Sequence, residues 1–212
     1  MKLRLHTRYQ NSAGERVRIV LNLKGVDYEY VSIPFLNDDA YRALNSQGQM
    51  PTLEIDGRVV SQSMAVMELL EELFPHPSIF PDDAVLKAQA RAFAFVIAAD
   101  LHPVVVGRVR RYLDDPVGAQ AAQVDAWFVH WLGEAFATLE AQLSRRTEKL
   151  LFCFGDQPGI AEACLVPQMA NARRADCDLS AYPQIVAIDG ACRDLDPFIR
   201  ATPAAQPDFP DA

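Results

Sequence analysis

The sequence predicts an α/β domain followed by an all-helical domain. Three observations carry this. Strand-like and helix-like patterns alternate through the first 74 residues. Pro75, Pro77 and Pro81 then punctuate a short linker. Helical periodicity dominates everything after Asp82-Asp83.

Lys2-Leu3-Arg4-Leu5-His6 alternates with period two and reads as a strand. A polar turn, Tyr9-Gln10-Asn11-Ser12, leads into a helix from about Ala13 to Lys24, with Gly25 placed as its C-cap. Tyr28 to Ile33, aromatic and β-branched, is a second strand. Strand-helix-strand implies a parallel pair with a right-handed crossover. Asp38 and Asp39 are placed to cap a short helix reaching Leu44. Asp56-Gly57 between Pro51–Ile55 and Arg58–Val60 is a hairpin signal. Ser61 or Ser63 then caps a helix to about Phe74, giving the order β-α-β-(α)-β-β-α around a small mixed sheet. In the second half, Ala84 to Leu113 reads as one long helix, bent near Pro103. Val117 to Ser144, with an aromatic stripe at Trp127, Phe128, Trp131 and Phe136, reads as a core helix. Ile160 to Arg174, enclosing Pro167, and Pro183 to Leu195 complete the set, and the proline-rich end reads as an extended tail. The expected domains are 1–76, 82–202 and a tail over 203–212.

Composition narrows the function. The 212 residues are 50% hydrophobic and 23% charged, ordinary for a globular protein. Acidic residues outnumber basic ones by 28 to 20, for a net charge of −8, which argues against general affinity for nucleic acid or anionic membrane. Cys153, Cys164, Cys177 and Cys192, and His6, His76, His102 and His130, have no metal-site spacing, so no metal is expected. No signal-peptide-like run opens the chain, and a cytoplasmic location is the expectation.

Several local segments are more specific. Arg16-Val-Arg-Ile-Val-Leu-Asn-Leu-Lys-Gly25, Leu44-Asn-Ser-Gln-Gly-Gln-Met-Pro-Thr-Leu53 and Ser61-Gln-Ser-Met-Ala65 lie in the first half. Asp100-Leu-His-Pro103, Cys164-Leu-Val-Pro-Gln168, Asn171-Ala-Arg-Arg174, Asp178-Leu-Ser-Ala-Tyr-Pro183 and Gln206-Pro-Asp208 lie in the second. Together they resemble the zeta class of cytosolic glutathione transferases over essentially the whole chain. The resemblance implies a thioredoxin-like glutathione-binding domain, a helical acceptor-substrate domain, a homodimer, and glutathione as cofactor. Family members include maleylacetoacetate and maleylpyruvate isomerases of aromatic catabolism.

The residues admit that chemistry. A free thiol has a pKa of about 8.5, so the site must favour the thiolate. The turn that opens the first helix offers unpaired N–H groups, the positive end of the helix dipole, the Ser12 hydroxyl and the Asn11 amide. One hydrogen bond to a charged acceptor is worth roughly 1.5–3 kcal/mol, about one to two pKa units. Ser12 and Asn11 are therefore the catalytic candidates, with helix capping as the competing role for Ser12. The zeta pattern at this turn is Ser-Ser-Cys with an aromatic two places later; this chain has Asn11-Ser12-Ala13 and Glu15, whose charge opposes thiolate formation unless it points away.

The resemblance further assigns glutathione binding to Gln49, Met50, Pro51, Gln62 and Ser63. Met50-Pro51 matches a cis-proline whose preceding residue pairs with the cysteinyl backbone, and Gln62 and Ser63 open a helix facing the γ-glutamyl carboxylate. Arg174 matches an arginine for a substrate carboxylate, whose planar fork suits it to that ligand, and His102 is a second substrate-side candidate. The implied activity is cis-trans isomerisation of a maleyl-type dicarboxylate by reversible thiolate addition. The alternatives are conjugation or dehalogenation of another electrophile, which consumes glutathione, and a non-catalytic module on the same fold. Val104-Val105-Val106 favours an apolar acceptor pocket. Gly159 lacks the side chain of the usual capping box before Glu162, a modest stability cost.

Overall fold

A computed structural model describes residues 1–34 and 39–210. The predicted cap at Asp38 lies outside the described residues. The chain divides into two compact units, Met1–Phe80 with Arg193–Ala212, and Pro81–Cys192.

The first unit holds a four-stranded sheet in the order β2-β1-β3-β4, formed by β1 (Leu3–Thr7), β2 (Glu29–Ser32), β3 (Thr52–Ile55) and β4 (Arg58–Ser61). β1 pairs parallel with β2, Leu5 opposite Tyr30, and antiparallel with β3, Leu5 opposite Leu53. β3 and β4 form the hairpin, with Asp56 and Gly57 both at positive φ, the backbone that a two-residue primed turn requires. This is the mixed sheet that the β-α-β-(α)-β-β-α order implies, and it fits the thioredoxin-like domain that the resemblance implies. The crossover helix α1 (Ser12–Leu23) packs against α3 (Ser63–Leu73). Val17, Val20 and Leu21 of α1 and Val66, Met67 and Leu70 of α3 are fully buried, as is Leu5 of the central strand. α2 (Asp39–Leu44) adds Tyr41 to a small cluster with Ile33 and Met50. At the end of the unit, the buried Lys24 ammonium reaches the Glu71 carboxylate and the Phe74 and Pro77 carbonyls at 2.7, 2.6 and 2.9 Å, which ties the linker to α1 and α3.

The unit is completed by the end of the chain, which corrects the expected division. Residues 193–202 group with the first unit, not with the helical one, and the end is not an unattached extended tail. A short α10 (Asp196–Ile199) packs on α1, and a 3₁₀ turn covers Pro203–Ala205. Polar side chains do the fastening. Asn22 donates to the Pro197 carbonyl at 2.8 Å and the buried Arg18 donates to the Ala201 carbonyl at 3.0 Å.

The second unit is helical. The long helix expected over 84–113 is interrupted. α4 (Ala84–Phe95) passes into a π-helical segment, Val96–Leu101, then α5 (His102–Val105). The chain turns extended at Val106 before α6 (Gly107–Asp114). α7 (Ala121–Ser144) begins four residues later than predicted; Gln123 accepts from the Gln120 N–H at 2.8 Å and caps it there. α8 (Ile160–Arg174) has its predicted bounds and encloses Pro167; α9 (Pro183–Arg193) follows. α4 packs on α8, and the π segment on α7. Glu140 of α7 accepts from the Gln184 and Ile185 N–H groups and so caps α9 across the bundle. Glu162 compensates for Gly159: one oxygen accepts from the Gly159 N–H at 2.7 Å and the other from the Cys153 N–H at 2.6 Å.

Candidate active site

The turn between β1 and α1 decides what the helix opening can do. Asn11, not Ser12, is the N-cap: its backbone is extended and its Oδ1 accepts from the Gly14 N–H at 2.5 Å. Ser12 is the first helical residue, and its hydroxyl has no partner among the described residues. Both are partly exposed. Capping uses the Asn11 oxygen and leaves its Nδ2 as a donor, so two side-chain donors stand at the positive end of the α1 dipole. Gly14 is required there, because a Cβ would lie 2.0 Å from Thr7 Oγ1 and 2.8 Å from Asn11 Oδ1. Glu15 is buried, and its carboxylate acts on Arg18 one turn along α1. Burial lowers the Arg18 pKa from its ordinary value, and Glu15 is the leading charge that opposes this. The acidic charge that would oppose a thiolate thus has the buried Arg18 guanidinium as a counter-charge.

Ahead of β3, the Met50–Pro51 peptide is cis. The Gln49 carbonyl accepts from Tyr41 Oη and Asn45 Nδ2, both at 2.8 Å, which fixes the approach to that peptide. At the start of α3 the structure departs from the expected serine cap. Gln62 is the N-cap without a side-chain cap bond, at φ 73°, a left-handed backbone that a non-glycine residue adopts only where its surroundings impose it. Its Nε2 donates to Gln47 Oε1 at 2.7 Å. Ser63 is the first helical residue, and its Oγ accepts from Arg16 Nη1 at 3.4 Å. Arg16 is 1% exposed, so a buried positive charge underlies the helix opening.

In the second unit the adjacent arginines part company. Arg173 donates to the fully buried Asp189 at 2.5 Å and serves the packing of α8 and α9. Arg174 is exposed at the end of α8, with Asn171 as a hydrogen-bond partner. His102 opens α5 and is half-buried; its carbonyl accepts from the Val106 N–H. Val104 has a structural task, its carbonyl accepting from Trp127 Nε1 at 2.8 Å. Among the described residues no group of three or more His, Cys, Asp or Glu is placed to hold a metal ion.

Residues 7–78 match the family model described as glutathione S-transferase, N-terminal domain. A maleylpyruvate isomerase from a Ralstonia species is 40% identical over 97% of this chain and 99% of its own length. A solved holo structure of maleyl pyruvate isomerase, described as a bacterial zeta-class glutathione S-transferase, superposes with a TM-score of 0.95. It is also 40% identical and covers 98% of this chain and all of its own. The chain belongs to the zeta-class glutathione transferases. A solved structure of maleylacetoacetate isomerase from Methylobacterium extorquens with bound malonate and glutathione is 32% identical with a TM-score of 0.93, over 98% of this chain and 100% of its own.

The zeta-class segments carry polar residues that pattern reading passed over. Arg16 and Arg18 are both buried, one reaching Ser63 and the other the Arg8, Tyr9 and Ala201 carbonyls. Their signal was available: two arginines two apart in an apolar helix face opposite sides of it, so at least one must meet the protein. Gln47, the partner of Gln62, carried no such signal.

Proposed function

We propose that this zeta-class chain isomerises a maleyl-type dicarboxylate with glutathione as cofactor. The observation that carries this is the division of labour at the α1 turn, where Asn11 does the capping and the Ser12 hydroxyl is left to donate. The donor set suits the tripeptide: hydroxyl and amide donors with a helix dipole for a thiolate, and a second helix opening over a buried guanidinium for a carboxylate. When bound, glutathione supplies a thiolate that adds reversibly to the substrate double bond.

Ser12 and the Asn11 amide hold the sulfur as its anion and the α1 dipole adds to them. Met50 offers its main chain to the peptide, and Gln62 and Ser63 hold the γ-glutamyl carboxylate, with Gln49 toward the glycyl end. Arg174, with its neighbour Arg173 already committed to Asp189, takes a substrate carboxylate; His102 lines the substrate side. By resemblance we also propose a cytoplasmic homodimer, which sedimentation would test.

Calorimetric titration with reduced glutathione, followed by assay of maleylpyruvate and maleylacetoacetate, tests the proposal. Isomerisation with an unchanged thiol titre is the expected result, and loss of thiol would move the assignment to conjugation. Ser12→Ala should raise the bound thiol's pKa by about one to two units. An unchanged pKa would transfer the role to Asn11 and the backbone.

A further inference from the structure

The Gln206-Pro207-Asp208 segment has no part in the chemistry described so far, yet it converges on the α1 turn. Asp208 Oδ1 accepts from Tyr30 Oη at 2.7 Å, while Oδ2 accepts from Ser32 Oγ at 2.7 Å and from the Tyr9 N–H at 3.2 Å. From inside the unit Arg18 holds the same turn by its carbonyls, Nη1 to Arg8 at 3.2 Å and Nη2 to Tyr9 at 3.1 Å, while Nε holds Ala201. The Phe209 ring meets the Tyr9 ring edge-on at 5.4 Å between centroids. Gln206, buried, closes the returning segment by donating to the Arg200 and Thr202 carbonyls, both at 2.8 Å.

Tyr9 is therefore held at its N–H, its C=O and its ring, two residues before Asn11. A turn outside regular secondary structure is usually soft, because its backbone groups lack ladder partners. Here those groups are bonded to two charged side chains, one of them fully buried, and charge-assisted bonds are the stronger kind. β2 supplies the hydroxyls that aim the Asp208 carboxylate, so the chain end, the sheet edge and the turn meet at one residue.

We propose that the 201–209 segment is a strap that positions the thiol-holding turn, with Asp208 as its positioning residue. This rests on the assignment of Asn11 and Ser12 as thiol donors. A misplacement of about 1 Å can cost on the order of 100-fold in rate, so loosening Tyr9 reaches the reaction without any contact to the reacting atoms.

The test compares the full-length protein with Asp208→Ala and with Tyr30→Phe/Ser32→Ala, which trims only the hydroxyls that aim the carboxylate and serves if Asp208→Ala does not fold. Two readouts are taken: amide hydrogen exchange over residues 9–14, with the β3 and α3 amides as control, and the bound thiol's pKa from thiolate absorbance. Expected are exchange over 9–14 faster by about 10-fold or more with the control amides unchanged, a raised thiol pKa, and kcat lowered about 10- to 100-fold with little change in KM. Unchanged exchange over 9–14 in both variants overturns the strap, and so does faster exchange with an unchanged thiol pKa and kcat. If the parent protein forms no thiolate with glutathione, the proposed function fails, and exchange over 9–14 alone decides the strap.

Discussion

Gly14→Ala tests the closeness of the α1 turn to β1, because the sign of its effect is not the ordinary one. In an open helix the change stabilises by about 1 kcal/mol, since alanine is the better helix former. Here the new Cβ would stand 2.0 Å from Thr7 Oγ1, far inside contact distance, and 3.2 Å from Thr7 Cβ, a tight contact, so Thr7 must shift. Overpacking of this kind costs about 1–3 kcal/mol. The same Cβ would lie 2.8 Å from Asn11 Oδ1, so the cap is disturbed as well, for about 1 kcal/mol more. The balance is a loss of about 1–3 kcal/mol, or roughly 2–12 °C in melting temperature for a chain this size. The assay is denaturant unfolding of the parent, Gly14→Ala, Thr7→Ala and the double variant. Thr7 Oγ1 is buried and has no hydrogen-bond partner among the described residues, so removing it should relieve much of the clash. The double variant should then be more stable than the sum of the single changes predicts, with a coupling of at least about 0.5 kcal/mol. A stabilised Gly14→Ala, or strict additivity, would refute the close approach.

Other predictions address the Asn11 cap, the adjacent arginines of α8 and acid stability. Asn11→Ala should cost about 0.5–2 kcal/mol by loss of the cap. Asn11→Asp keeps the acceptor and most of the stability but removes the amide donor and adds a negative charge, so the bound thiol's pKa should rise; calorimetry and thiolate titration separate the two effects. Arg173→Gln should destabilise by about 1.5–3 kcal/mol, because it removes a charge-assisted bond from a partly exposed guanidinium to the fully buried Asp189 carboxylate. Arg174→Gln should instead spare stability and raise KM for a dicarboxylate, as steady-state kinetics would show. The last concerns pH. Partial burial pushes Asp208 upward, but the Tyr30 and Ser32 hydroxyls and the Tyr9 N–H together hold its pKa below the ordinary carboxylate value. A depressed folded pKa contributes stability above the unfolded value of about 3.9, lost as pH falls through the folded value. Unfolding measured on both sides of that pH should show a steeper acid loss in the parent than in Asp208→Asn.

What pattern could reveal divides along physical lines. The Asp56-Gly57 hairpin and the bounds of α8 were legible because turn residues and periodicity act locally. The break over 96–106 was not. That stretch is apolar on most sides, so no face is marked, and Pro103 sits at a tolerated first-turn position of α5. At the α1 turn the residue types marked a helix N-terminus, but Asn11 and Ser12 are both good caps one position apart, and the extended backbone of Asn11 separates them. Gln62 gave no warning of a positive φ, since the usual glycine is absent. The chain end misled most. Its prolines read as unpacked, while its attachment depends on carbonyls and one carboxylate that leave no hydrophobic period.

The division of the chain has a consequence for synthesis on the ribosome. The first unit begins with residue 1 but is closed by bonds from Arg18 to Ala201 and from Asp208 to Tyr9, which span 183 and 199 residues. The helical unit lies wholly between them and is fully available earlier. Vectorial folding usually favours the N-terminal part; here the bonds that close that part wait until residues 201–208 have left the exit tunnel. A nascent chain stalled before Ala201 has its sheet strands and α1, but the Arg18 guanidinium still lacks its Ala201 acceptor. Termination just before Ala201 would therefore take these bonds from the oldest part of the polypeptide and spare the newer helical unit.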